Sequence, residues 1–402
     1  MKKLMLLGGS RFLIPVIEKA DELGVFVITA DYIPDNVAHQ FADDYINVSV
    51  IDQQAVLEAA KEKNIDGIMA FACDPGVVTA SFVAEQMNLP FQCSYRSACI
   101  MQDKQRFRQF LREHGFNSPF VKGYISFLEA MSDAHNHSLP VVIKPADSAG
   151  SKGITKVSDV SEYENAVKLA FDNSLSKKII LEEYLDLVGF QSSTDMFVVN
   201  GTIHYPVFSD QVFDEDATNP FVPTAEIWPS TMPDYYQQEL TKELNRLFAL
   251  LQCNHGIYNV ECRVCSNGKV YIMEVSPRGG GNHIAKLQDD AYGLNYIENE
   301  IRVAVHLPMS INNPKEIEGH WCTCSIHPHK NQSGRLKSSV FNDEIKERIK
   351  HADLSFSPGK EISPFTGANM AFGDVIFHCD TRAELLRCIT LSSDSIICSS
   401  EN

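Results

Sequence analysis

A chain of 402 residues is too long for one ordinary core and calls for two to four domains or subdomains. With 44% hydrophobic and 22% charged residues it has the composition of a globular protein, and no stretch approaches the roughly 18–20 uncharged apolar residues that span a bilayer. A net charge of −17 argues against nucleic acid or an anionic membrane as the main partner; an anionic small molecule would need basic residues gathered locally against that field.

The opening MKKLMLLGGS has the basic pair and short apolar run of a signal peptide. Gly8, Gly9, Ser10 and Arg11 end that run too early, so it reads as the first strand of a cytoplasmic protein. Eleven cysteines without an export signal then read as free thiols in a reducing compartment. Strand KLMLLGG leads into helix LIPVIEKADELG, and strand VFVITAD ends at Asp31. A helix near 52–64, strand GIMAFA, a helix near 77–87 and the extended piece LPFQC come next. This βαβ repetition predicts a doubly wound parallel sheet, whose ligands bind beyond the carboxyl ends of its strands. Gly8-Gly9-Ser10 and Cys73-Asp74-Pro75-Gly76 lie at two such ends. A nicotinamide cofactor is disfavoured, because the later glycines of G-x-G-x-x-G are missing after Gly8-Gly9.

Residues 96–115, RSACIMQDKQRFRQFLREHG, predict one basic amphipathic helix stopped by Gly115. Residues 119–186 read as strand, loop, helix, strand. Residues 187–305 predict further strands, an acidic proline-containing loop over 209–233, a helix at 235–252, a hairpin and a helix after Asn282. Residues 315–402 predict a final α+β piece, and no internal repeat is present.

The hairpin lies in YNVECRVCSNGKVYIMEVSPRGGG, from Tyr258 to Gly281. With Asn267-Gly268 as the two central turn residues, Glu261 falls opposite Glu274 and Asn259 opposite Ser276. Like charges so placed destabilise a hairpin, unless a hard divalent cation turns their repulsion into ligation. A solvated face eased by Arg263, diagonal to Glu274, is the alternative. Two other stretches carry possible chemistry. In VVIKPADSAGSKGI a β-branched strand ends at Lys144, before a loop of small residues whose N–H groups suit phosphate. In IILEEYLDL, Glu182, Tyr184 and Leu185 offer an acceptor and apolar walls to an adenine ring. Cys322-x-Cys324-x-x-His327-x-His329 lacks a second cysteine knuckle, which disfavours structural zinc.

Taken in order, Lys104 in MQDKQRF, Lys144 in VVIKP, the 148–153 loop, EEYL, Glu261 in NVECRV and Glu274 in IMEVSPRGGG resemble the ATP-grasp superfamily over residues 1–305. The resemblance implies a preATP-grasp α/β domain (1–97), two α+β ATP-grasp subdomains (98–186 and 187–310) and a C-terminal α+β domain (311–402). It implies ATP with Mg²⁺ or Mn²⁺ as cofactors. Lys104 and Lys144 would meet the phosphates, covered by Ser148, Gly150, Ser151, Lys152 and Gly153. Glu182 and the backbone of Glu183, Tyr184 and Leu185 would hold adenine. Glu261 and Glu274 would ligate metal, with Ser276 where the family often has asparagine. Gln191 stands where the family often has an acidic residue for ribose. Arg278 would be catalytic, and Arg278, Gly279, Gly280, Gly281 and Asn282 would receive substrate.

The C-terminal SGRLKS, SPGKEISPF and GDVIFHCDTRAELL resemble L-amino-acid ligases of the same superfamily. That implies an ADP-forming carboxylate–amine ligase working through an acyl phosphate, joining an amino acid to an amino acid or small amine. Its partners would be small-molecule carboxylates and amines, not nucleic acid or membrane, and a homodimer is compatible. The rival readings are a purine-pathway or carboxylating ligase, and an ATP-binding protein without ligase turnover.

Overall fold

The computed structural model describes the chain apart from residues 148–150, 329–331, 333, 340, 355–357, 360 and 400–402. It begins with β1 (Lys3–Leu7), α1 (Ile14–Glu22), β2 (Phe26–Asp31), β3 (Asp44–Asn47), α2 (Gln53–Lys63), β4 (Gly67–Ala70) and α3 (Asp74–Met87). The strands form a parallel sheet ordered β3-β2-β1-β4. β1 and β4 are nearly continuous apolar runs, as parallel strands buried on both faces must be. The sheet departs from expectation at two places. Asp44–Asn47 adds an edge strand, and LPFQC is irregular, where Pro90 has no N–H to give a ladder.

The single helix expected over 96–115 is two, α4 (Tyr95–Gln102) and α5 (Lys104–Glu113). Asp103 between them is extended (φ −109°, ψ 109°), and its carboxylate accepts the Arg106 N–H at 3.0 Å. This N-cap starts a second helix and puts Lys104 at its first position.

Next come β5 (Val121–Tyr124), α6 (Phe127–Ser132), β6 (Val141–Pro145), β7 (Thr155–Val157), α7 (Tyr163–Asp172) and β8 (Ile179–Glu183). They build an antiparallel sheet, β5-β8-β6-β7, with its own core around Ile143, Tyr163, Val167 and Leu181. By contrast α4 and α5 bury Met101, Phe107 and Leu111 in a core that runs from Met5 and Ile28 to Leu244, Tyr258 and Val275. The two helices therefore bury their apolar side chains in the body of the molecule, while α5 also meets the β5–β8 lobe through Arg108–Glu182 and the Lys104 N–H to the Ala146 carbonyl (3.2 Å).

The chain continues through β9 (Leu187–Val199), β10 (Thr202–Ile203), β11 (Asp210–Phe213), β12 (Pro223–Trp228), α8 (Asp234–Leu250), β13 (Gly256–Cys265), β14 (Val270–Ser276), α9 (Ile284–Tyr292) and α10 (Tyr296–Ala304). It ends with β15 (His320–Ile326), β16 (Arg335–Ser339), α11 (Asp343–Lys346), β17 (Ile349–Leu354), β18 (Gly373–Cys379), α12 (Arg382–Ser392) and β19 (Ile396–Ser399). One sheet is β10-β9-β13-β14; another is β11-β12-β15-β18-β17, and β16 pairs with β19. The acidic stretch over 209–233 thus holds a strand pair, β11 and β12, where a loop is expected throughout. That pair shares a sheet with C-terminal strands, so a division at 310/311 falls within one hydrogen-bonded unit.

One face of the five-stranded sheet is apolar: Ala225, Ile227, Cys322, Cys324, Val375 and Phe377 pack with Leu385 and Cys388 of α12. Cys322 and Cys324 are therefore core residues. His327 stacks on Phe365 with ring centroids 4.4 Å apart, and His329 lies outside the described residues. The opposite face carries Gln211, Glu226, Thr323, Ser325 and Asp374 in cross-strand register. Among the described residues no helix is long and apolar enough to cross a membrane.

Candidate active site

β13 and β14 place Glu261 opposite Glu274 and Asn259 opposite Ser276. The expected turn is nevertheless wrong. Cys265 N–H donates to the Lys269 carbonyl (3.0 Å) and Gly268 N–H to the Cys265 carbonyl (2.9 Å), so Ser266, Asn267 and Gly268 form a three-residue loop. Only Gly268 is left-handed there (φ +73°), the form that ends a type I turn in a bulge. A second irregularity, at Met273, restores the register: Cys262 pairs with Ile272, whereas Glu261 pairs with Glu274. Bulges re-aim neighbouring side chains and free a ladder carbonyl. Arg108 Nη1 donates to the Met273 carbonyl at 2.7 Å.

Cations flank both carboxylates. Lys104 Nζ lies 3.5 Å from Glu274 Oε2, and Arg263 Nη2 lies 3.9 Å from Glu261 Oε1. Burial pushes the Glu261 carboxyl above its ordinary range, Arg263 opposes the shift, and Glu274 adds to it. Two facing carboxylates fit a hard divalent cation that also draws on phosphate oxygens and water. No cluster of three or more His, Cys, Asp or Glu suited to a metal exists among the described residues. Ser276 is otherwise engaged: its hydroxyl donates to Asp74 Oδ1 (2.9 Å) and accepts from Gln102 Nε2 (2.7 Å).

Beside the pair lies a buried ionic triad. Glu182 accepts from Arg108 Nε on one oxygen (2.8 Å) and from Lys144 Nζ on the other (2.9 Å). Burial would raise the Glu182 carboxyl, but the charges of Arg108 and Lys144 hold it down at about 2. Burial shifts Lys144 the other way for its type, below the usual lysine range, against the pull of Glu182. The triad carries one excess positive charge, which suits an anion. Because both Glu182 oxygens already accept, an adenine amino group would have to share one of them.

The rest of the expected nucleotide wall is spread along β8 and the start of β9. Glu183 bonds the Phe120 backbone through its N–H (3.0 Å) and its carboxylate (3.1 Å). Lys156 sits over the Tyr184 ring at 3.9 Å. Leu185 joins Cys265, Tyr271 and Met273 in a small apolar cluster. Gln191 donates to Glu261 Oε1 (3.1 Å) and Gln211 Oε1 (2.7 Å), so it braces the glutamate pair. In the small-residue loop, Ser148 and Gly150 lie outside the described residues. The Ser151 carbonyl accepts from Asn219 at 3.0 Å, Lys152 is half-buried, and Gly153 is left-handed (φ +69°) beside Asn173.

Arg278 is buried, and its planar fork grips Asp74 at the start of α3: Nε–Oδ1 2.9 Å and Nη2–Oδ2 2.8 Å. The glycines after it are shaped by the protein interior. A Cβ on Gly279 would sit 2.1 Å from the Phe71 ring. The Gly280 N–H donates to Asp195 (2.8 Å), whose carboxyl burial pushes upward while Asn259 and that N–H oppose it. Gly281 faces Phe12, and Asn282 and His283 are left-handed (φ 53° and 56°), so α9 starts only at Ile284. The Gly280 N–H is therefore committed to Asp195.

Arg108, Asp195 and Glu226 lie in or beside the candidate site without being singled out by motif spacing, and the sequence marks Asp74 only as part of a strand-end turn. Arg108 alone left a plain signal, one helical turn beyond Lys104 on the same face. The others are single acidic residues in apolar strands or at a strand end, and only tertiary structure gathers them.

Residues 137–286 match a family model described as an ATP-grasp domain. The chain is 27% identical over 242 residues to a D-alanine–D-alanine ligase of Mannheimia succiniciproducens, covering 56% of this chain and 73% of that one. It is 22% identical over 311 residues to a carbamoyl phosphate synthase large chain of Clostridium beijerinckii, where 72% of this chain spans only 28% of the relative. Among solved structures, an L-amino acid ligase from Bacillus licheniformis superposes with a TM-score of 0.81 at 19% identity, over 100% of this chain and 99% of that one. Residues 137–286 thus match an ATP-grasp domain, and the chain as a whole shares the fold of the solved L-amino acid ligase.

Proposed function

We propose that this chain is an ADP-forming carboxylate–amine ligase whose carboxylate substrate is an amino acid and whose acceptor is an amino acid or small amine. Enzymes of the superfamily use ATP and Mg²⁺. The observation that carries the reading is the convergence of Glu261 and Glu274, in register, with Lys104 and the Lys144–Arg108 charge excess. Glu261 and Glu274 would hold Mg²⁺, which supplies charge neutralisation at the phosphates. Lys104 and Lys144 would bind phosphate oxygens. The substrate carboxylate oxygen would attack the γ-phosphorus as the bond to ADP breaks. The amine nitrogen would then add to the acyl carbon, phosphate would leave, and the amine proton would pass to solvent. Such transfer is mainly positioning and charge stabilisation, which fits a site made of fixed ions.

Arg278 acts in this reading by fixing the β14–α9 loop to α3 through Asp74. The relatives named for D-alanine ligation and the solved L-amino acid ligase support an amino-acid substrate. The test is ADP release from Mg²⁺ and ATP over pairs of amino acids and amines, with bicarbonate as a comparison. Amino-acid-dependent release that Lys144→Ala abolishes is expected. Release driven by bicarbonate alone would replace the reading with a carboxylating one, and ATP binding without any release would remove ligase turnover.

A further inference from the structure

The polar face of the five-stranded sheet turns toward the β14–α9 loop. Thr323 on that face donates to the Asn282 carbonyl, and Asp374 is engaged by Arg11 on Oδ2 and by Ser325 on Oδ1. Glu226, opposite both Gln211 and Thr323, is only 3% exposed. Asn282 and Gln211 address its carboxyl group, yet its Oε2 has no hydrogen-bond partner. Among the described residues it is the one buried carboxylate oxygen so left. A buried carboxylate oxygen without a donor costs the full desolvation penalty of that group, so such a position calls for a ligand.

Its location narrows the ligand. Gln211 accepts from Gln191 at 2.7 Å, and the same Gln191 nitrogen reaches Glu261 at 3.1 Å. A continuous row of amides thus joins Glu226 to the glutamate pair, on the side of the C-terminal sheet. Asp374 already has donors on both oxygens, which leaves Glu226 Oε2 as the open acceptor. A ligand here must bring N–H donors and positive charge. Bicarbonate, phosphate or a plain carboxylate would bring the wrong sign next to Glu261 and Asp374.

We propose that Glu226 binds the ammonium group of an amino-acid substrate, with Oε2 accepting one of its N–H donors. The proposal rests on the amino-acid ligase reading and names the group that selects the substrate. Burial, then the charge of Asp374, pushes the Glu226 carboxyl up to about 8, so an arriving ammonium would displace a proton to solvent. The charge-assisted contact forms in a water-poor site, where losing one partner is costly.

The experiment compares wild type with Glu226→Gln, which keeps the shape and removes the charge. Each of the twenty proteinogenic L-amino acids, and the 2-hydroxy acid matching each one that binds, is titrated by calorimetry with Mg²⁺ and a non-hydrolysable ATP analogue; ADP release is read in parallel. At least one amino acid should bind wild type, its hydroxy acid should not compete, and Glu226→Gln should weaken binding roughly 30-fold or more with nucleotide affinity unchanged. Equal binding to both proteins, or no amino acid bound by wild type, overturns the assignment. ADP release driven by carboxylates lacking an amino group would sink it while leaving the ligase reading intact. Glu226-dependent binding without ADP release would do the reverse.

Discussion

Replacing Arg108 by Met tests whether one buried arginine holds the Glu261–Glu274 hairpin and Lys144 in register. Arg108 is 1% exposed and joins three elements: it sits on α5, pairs with Glu182 at the end of β8, and satisfies the Met273 carbonyl freed by the bulge in β14. Methionine fills similar volume but leaves Glu182 Oε2 and that carbonyl without donors. Breaking a buried ion pair costs about 3–5 kcal/mol, and an unsatisfied buried carbonyl about 1–3 kcal/mol. Partial relaxation and Lys144, which stays on the other Glu182 oxygen, should hold the total near the lower figure, about 3–5 kcal/mol. Urea unfolding measures it, and the ligand-induced thermal shift with Mg²⁺ and ATP gives a second readout. The shift should fall as well, because the bulge aligns Glu274 with Glu261 and the triad loses its excess positive charge. A loss under about 1 kcal/mol together with a full Mg²⁺–ATP shift would refute the idea that Arg108 organises this site.

Two further outcomes concern the buried pairs. Arg278→Lys keeps the charge but reaches only one Asp74 oxygen, so it should cost about 1.5–3 kcal/mol in urea melts and lower turnover more than ATP affinity; unchanged stability and turnover would show that the fork is dispensable. Glu182 is held at about 2, below its unfolded value of about 4.3, so its stabilisation is full above the unfolded value and is lost as pH falls toward 2. The stability gap between wild type and Glu182→Gln should therefore close, by up to about 3 kcal/mol, between pH 5 and pH 2; a constant gap in urea midpoints would contradict it.

Much of this site was legible because strand chemistry is local. Val141-Val142-Ile143 before Lys144, and two apolar runs around Asn267-Gly268, identify themselves by composition and period. The Glu261–Glu274 pairing was reached through a turn one residue too short and without the Met273 bulge. The two errors cancel, since a bulge shifts register by one residue just as a longer turn does. The 209–233 stretch misled for a physical reason. Its acidic and proline residues favour loops in isolation, while β12 is a strand because β15, nearly a hundred residues later, supplies its ladder. Asp103 hid a helix break because N-capping residues occur inside helices too. The partnerships Arg278–Asp74, Asp195–Gly280 and Arg108–Met273 join residues 85 to 204 positions apart, and no spacing rule announces them.

Five cations around the candidate site are paired before any ligand arrives: Lys104 with Glu274, Arg263 with Glu261, Lys144 and Arg108 with Glu182, Arg278 with Asp74. Phosphates must therefore compete with carboxylates for the first two. A divalent ion bound by Glu261 and Glu274 would release Lys104 and Arg263 to phosphate, so nucleotide and metal should enter as one neutralised unit. Glu274→Gln separates the two effects. It frees Lys104 and relieves the facing charge, so in EDTA the variant should bind ATP as tightly as wild type or up to about fivefold tighter, the worth of one partly exposed ion pair. Its stability in EDTA should stay within about 1 kcal/mol of wild type, because the lost Lys104 contact offsets the relieved repulsion. With Mg²⁺ the order should invert, since the variant forfeits a ligand and with it most of the stabilisation given by RT ln(1 + [L]/Kd). Calorimetry and thermal melts of both proteins, each with EDTA and with Mg²⁺, decide the matter. A variant that binds ATP more weakly in EDTA, yet gains the full Mg²⁺ enhancement, would show that Glu274 serves the nucleotide directly and that the hairpin is not a metal site.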